Sequence, residues 1–133
     1  MKAVPAARRP VLLVVEADEV LRESLSRALG RRYRVRVAAT AEEALRRTPL
    51  SARLDALVAG MSLPEMGGFE LCRKLKKERP GLKAFILGSP SSGDGAREAF
   101  AVRADGFLPW PFDMETVRDM LENRLRPAVP VPG

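Results

Sequence analysis

Short apolar runs alternate with helical patterns along most of this chain, and few folds tolerate that rhythm. Val11–Val15 is continuously apolar, as a strand buried on both faces must be. Val20, Leu21, Leu25, Ala28 and Leu29 then fall on a helical stripe, and Gly30 is placed to stop it. Tyr33–Ala38 alternates, with Tyr33, Val35 and Val37 on one face and Arg32, Arg34 and Arg36 on the other. Charge of that kind suits an edge strand, where it discourages pairing with another sheet. Thr40-Ala41-Glu42-Glu43 reads as a capping box that opens a second helix.

The pattern continues with a third strand over Leu54–Ala59. Gly67 and Gly68 lead into a helix carrying Phe69, Leu71, Cys72 and Leu75, which Pro80-Gly81 ends. A fourth strand covers Ala84–Leu87. A helix over Ala96–Val102 follows, capped by Ser92 or Asp94, and then a short strand over Gly106–Leu108. Asp113 caps a last helix with the stripe Val117, Met120, Leu121 and Leu125. Alternating strands and helices imply an α/β fold, a doubly wound five-stranded parallel sheet with helices on both faces. The flavodoxin-like order 2-1-3-4-5 puts the arginine-bearing second strand at an edge. Ligands of such folds bind at the carboxyl ends of the strands, so function has to be read there.

At 133 residues the chain suits one domain, residues 11–125, between a tail at 1–10 and a Pro-rich tail or linker at 126–133. Cys72 is the only cysteine, so no internal disulfide forms, and a cytoplasmic setting is expected. No histidine is present, which removes the commonest general base and metal ligand. No apolar run approaches the ~20 residues that span a bilayer, so membrane insertion is not expected. The net charge of +6 admits a nucleic-acid partner, but the basic residues are scattered, and a solvated edge accounts for the arginines of the second strand.

Two segments carry a family resemblance. Leu63-Pro64-Glu65-Met66-Gly67-Gly68-Phe69-Glu70-Leu71 is similar to the Met-Pro-x-Met-Asp-Gly-x-Glu-Leu segment of the receiver domains of bacterial response regulators. Ala104-Asp105-Gly106-Phe107-Leu108-Pro109-Trp110-Pro111-Phe112 resembles that family's Ala-Asp-Asp-Tyr-Leu-x-Lys-Pro-Phe. The resemblance spans about Val11 to Leu125 and implies a part in two-component signal transduction. In the family an acidic pair after the first strand helps to hold Mg²⁺, and an Asp after the third strand takes a phosphoryl group. A Thr or Ser after the fourth strand and a Lys after the fifth contact that group. Metal and cation neutralise its charge in flight.

Here the acidic pair reads Glu16-Ala17, the acceptor position is Gly60, the hydroxyl position is Gly88 and the lysine position is Trp110. The resemblance therefore implies a degenerate, pseudo-receiver domain with no catalytic residue, no metal and no cofactor. Its partners are expected to be proteins, or a second copy, at the face of the fourth helix, fifth strand and fifth helix, where Phe107 takes the aromatic switch position. It also implies a cis bond before Pro111. Trp110 is either a plug filling the lysine's space or an exposed anchor for a partner. Two alternatives stay open. Phosphorylation or cation binding is displaced to Asp18, Ser62, Ser89, Ser91 or Ser92, or the chain is a basic nucleic-acid-binding module.

Overall fold

The computed structural model describes residues 9–90 and 95–125. Its elements run β1 (Val11–Val15), α1 (Glu19–Leu29), β2 (Arg34–Ala38), α2 (Ala41–Arg47), β3 (Ala56–Gly60), α3 (Gly68–Glu78), β4 (Lys83–Leu87), α4 (Ala96–Ala101), β5 (Gly106–Leu108) and α5 (Met114–Arg124). All strand pairs are parallel and the order is β2-β1-β3-β4-β5. This is the architecture that the alternation predicts.

Successive residues of a strand face opposite sides of the sheet, and the core divides accordingly. Leu12, Val14, Ala56, Val58, Phe85 and Leu87 pack against Leu25 and Leu29 of α1 and Val117 and Leu121 of α5. Leu13, Val15, Leu57, Ala59, Ala84 and Ile86 pack on the other side against α2, α3 and Val102. β1 and β3 are buried along their whole length, as their unbroken apolar runs require. β2 is the edge, and Arg34 and Arg36 point to solvent.

Local chemistry fixes the helix starts. Asp18 accepts from the Leu21 N–H at 2.9 Å and Asp113 from the Thr116 N–H at 2.8 Å. Thr40 accepts from the Glu43 N–H at 3.1 Å, but the Glu43 carboxylate reaches back to Ala39 rather than to Thr40. α4 has Gly95 as its N-cap and no side-chain cap bond; Ser92 and Asp94 lie outside the described residues.

Some sequence expectations need correction. Val20 is 74% exposed, because it lies one residue, about 100° of helix rotation, from the stripe that Leu21, Leu25 and Leu29 bury. Gly30 caps α1 with φ −66°, so the helix stops without a left-handed residue. β3 ends on Gly60, which places that residue inside the sheet rather than after it. Asp55 precedes the strand and accepts from the Val11 N–H at 2.7 Å. Residues 1–8 and 126–133 of the expected tails lie outside the described residues.

Candidate functional site

The carboxyl ends of β1, β3, β4 and β5 converge on one cavity of about 710 Å³. Glu16, Ala17, Gly60, Gly88 and Trp110, the positions singled out in the sequence, all line it. The topology alone explains the convergence. Parallel strands in register end together, and Gly60 pairs with Leu87, which pairs with Leu108. Asp18, Ser62, Ser89, Phe112 and Asp113 also line the cavity, whereas Phe107 does not. Phe107 packs instead against the α2–α3 side of the core.

Glu16 is held by backbone. Its Oε2 accepts from the Asp18 N–H at 2.8 Å, and its own N–H donates to Ala38 O at 3.1 Å. Burial raises its carboxyl above the ordinary 4.5, against the lowering pull of the Asp18 N–H. Arg22 donates to the carbonyls of Glu16 at 2.8 Å and Ala17 at 3.3 Å, which ties the β1–α1 connection to α1. Sequence reasoning missed Arg22, since no periodicity distinguishes it from the other helix-surface arginines.

Two close approaches define the floor. A β-carbon built on Gly60 would stand 2.5 Å from Glu16 Oε1. One built on Gly88 would stand 2.8 Å from the Trp110 backbone nitrogen and 3.1 Å from Pro109 Cα. No glycine among the described residues has a positive φ, so space rather than conformation favours glycine at both places. The Trp110–Pro111 peptide bond is cis. Trp110 is 45% exposed at the cavity, and its ring meets Phe112 nearly perpendicularly with centroids 5.5 Å apart. It is thus neither a sealed plug nor a free anchor.

Mg²⁺ demands near-ideal octahedral oxygen coordination, keeping several waters and taking one or two protein carboxylates placed for it. Ala17 and Gly60 bring none, and Asp18 already spends one oxygen on the α1 cap. No group of three or more His, Cys, Asp or Glu side chains among the described residues is placed to hold a metal ion. The residues present do not fit the ion.

At the opposite end of the sheet from the cavity, a salt-bridged knot ties the sheet to α3. Asp105 Oδ2 accepts from Lys76 Nζ at 2.9 Å and from the Ala84 N–H at 2.8 Å. The motif containing Asp105 was legible, but this partner set was not.

Residues 12–122 match the response regulator receiver domain family. The chain belongs to that family. It is 33% identical over 123 residues to the response regulator MprA of Mycolicibacterium vanbaalenii, covering 92% of this chain and 53% of MprA. It is 34% identical over 129 residues to the sensor kinase CckA of Brucella abortus, covering 92% of this chain and 14% of CckA. The receiver spans about half the length of MprA and far less of CckA. Among solved structures it resembles the non-phosphorylated HemR receiver domain of Leptospira biflexa (TM-score 0.80, 30% identity, 92% of this chain and 98% of that one). It also resembles the chemotaxis response regulator CheY4 of Vibrio cholerae (TM-score 0.76, 28% identity, 86% and 98%). No helix among the described residues of the receiver is long and apolar enough to cross a membrane.

Proposed function

We propose that this receiver domain signals through protein contacts without being phosphorylated and catalyses no reaction. The observation that carries this reading is Gly60. It ends β3 among the cavity residues, the position the family gives to its acceptor carboxylate, and it has no side chain to accept a phosphoryl group. The surroundings support the same reading. The hydroxyl position is a glycine pressed against the Trp110 backbone, and the cation position is an indole.

The partner surface we favour is that of α4, β5 and α5. Phe100 on α4 is 87% exposed, the most exposed large apolar residue among those described. A ring left in water on a short helix gains most by association. Whether the partner is another protein or a second copy, charge reversal at Arg97 or Arg118 should weaken association through this face.

The decisive experiment is incubation with acetyl phosphate and Mg²⁺ followed by intact mass. The expected result is an unmodified chain; a stoichiometric phosphoryl increment sinks the proposal.

A further inference from the structure

We propose that the cavity at the strand ends receives an arginine side chain of a protein partner. This deepens the reading above and rests on it.

Charge complementarity makes the case. Glu16, Asp18 and Asp113 line the cavity, and among the described residues no Lys or Arg does. Arg22, beside the cavity, is held by the Glu16 and Ala17 carbonyls. Part of the negative charge serves the helix starts, since Asp18 and Asp113 each give one oxygen to a cap. Glu16 differs. Its Oε2 takes the Asp18 N–H, while Oε1 faces the space over Gly60 that a side chain there would fill. An anion entering here would meet carboxylates; a cation would meet an oriented acceptor.

The apolar lining selects among cations. Trp110 is 45% exposed and braced by Phe112, and Val20 on the same cavity is 74% exposed. A small hydrated cation would leave both wet. A guanidinium on an apolar stem would stack on the indole, pair with Glu16 and bring flanking residues over Val20. Arginine also presents a fork of donors that suits a carboxylate better than the point charge of lysine. The volume, about 710 Å³, lies within the ~300–1,000 Å³ typical of ligand clefts.

The test uses the full chain and two capped peptides, acetyl-Leu-Arg-Leu-amide and the same sequence with citrulline in place of arginine. Amide NMR shifts of Gly60 and Gly88 report the site, and emission of Trp110, the sole tryptophan, gives the affinity. The arginine peptide should saturate both signals. The citrulline peptide should bind at least roughly tenfold more weakly, about 1.4 kcal/mol. Glu16→Gln and Trp110→Leu, with folds checked by their amide spectra, should each weaken the arginine peptide severalfold, with affinity read in Trp110→Leu from the Gly60 and Gly88 shifts alone. Equal binding of the two peptides, shifts that avoid Gly60 and Gly88, or no saturation by ~10 mM peptide overturns the inference. A parallel sample with acetyl phosphate and Mg²⁺ separates the failures. A mass increment there overturns the phosphorylation-independent reading itself, whereas an unmodified chain that ignores arginine overturns only the socket.

Discussion

Gly88 lies so close beneath Trp110 that a β-carbon on it would stand 2.8 Å from the Trp110 backbone nitrogen. The Gly88 N–H also donates to Leu108 O at 2.7 Å, so the end of β4 is clamped to the end of β5. The obstacle is backbone, which cannot swing aside as a side chain can. The two positions are therefore coupled in space: Gly88 sits under Trp110. Gly88→Thr should destabilise the domain by about 1–3 kcal/mol, the usual cost of overpacking. Urea melts of wild type and variant check this. An unchanged midpoint would show that the β5 connection yields easily.

Asp105 anchors the opposite end of the sheet. Its carboxylate bonds the Ala84 N–H and Lys76 Nζ, and Lys76 also donates to Leu82 O at 3.0 Å. Both ionic side chains are only about one-fifth exposed, so this pair is better shielded than the surface pairs at Arg47–Glu43 and Arg53–Asp55. Asp105→Ala should cost about 2 kcal/mol, within the range for hydrogen bonds to charged groups. Asp105→Asn keeps an acceptor for Ala84 and should cost less. Equal losses in the two variants would mean that the charge, not the backbone bond, carries the contribution.

Cys72 is fully buried in the α3 core, and burial pushes its thiol up to about 11. At pH 8 only about one molecule in a thousand would carry thiolate even with access. Iodoacetamide should therefore leave the native chain unmodified while alkylating it readily in urea. Fast labelling of the native state would show that α3 opens locally.

Glu16 gives a signed pH dependence. Desolvation raises its folded pKa above the ordinary 4.5, so between those two values the folded state holds more proton than the unfolded one. Its contribution to stability is then greatest below pH 4.5 and declines as pH rises through the folded pKa. Glu16→Gln keeps an acceptor for the Asp18 N–H and removes the titration. The stability of wild type relative to Glu16→Gln should fall as pH rises from the ordinary carboxylate value toward neutrality. A flat difference would show that Glu16 ionises as freely as in water.

Much of this was legible beforehand, for identifiable reasons. The buried β1 and the edge position of β2 followed from Val11–Val15 and the arginine alternation of Arg34 and Arg36, because burial on two faces or one is written directly into period. The site positions followed instead from the resemblance of Leu63–Leu71 and Ala104–Phe112 to receiver segments, which period alone does not supply. Side-chain reach was not legible. Arg22 folding onto the β1–α1 carbonyls, Lys76 reaching Asp105, and the exposure of Val20 and Phe100 depend on the packing of whole elements. Nor could spacing decide between plug and anchor for Trp110, which is half-exposed with the Phe112 ring beside it.

Gly60→Asp tests whether one residue can restore acceptor chemistry. The clash at Gly60 is with Glu16 Oε1, the far end of a flexible side chain, and Gly60 has no positive φ, so the variant should fold. The new carboxylate would displace Glu16 or face it as a like charge at close range, which costs stability at neutral pH. It would gain no second acid, because Ala17 cannot ligate, no hydroxyl at Gly88 and no cation at Trp110. Groups that act as a unit are strongly non-additive, so one restored member recovers little. With acetyl phosphate and Mg²⁺ the single variant should show no mass increment. Turnover should require at least Ala17→Asp and Trp110→Lys in the same chain. A phosphorylated single variant beside an unmodified wild type would mean that Glu16 and its neighbours still hold Mg²⁺ well enough for transfer, and the donor-set argument against the ion would fall with it.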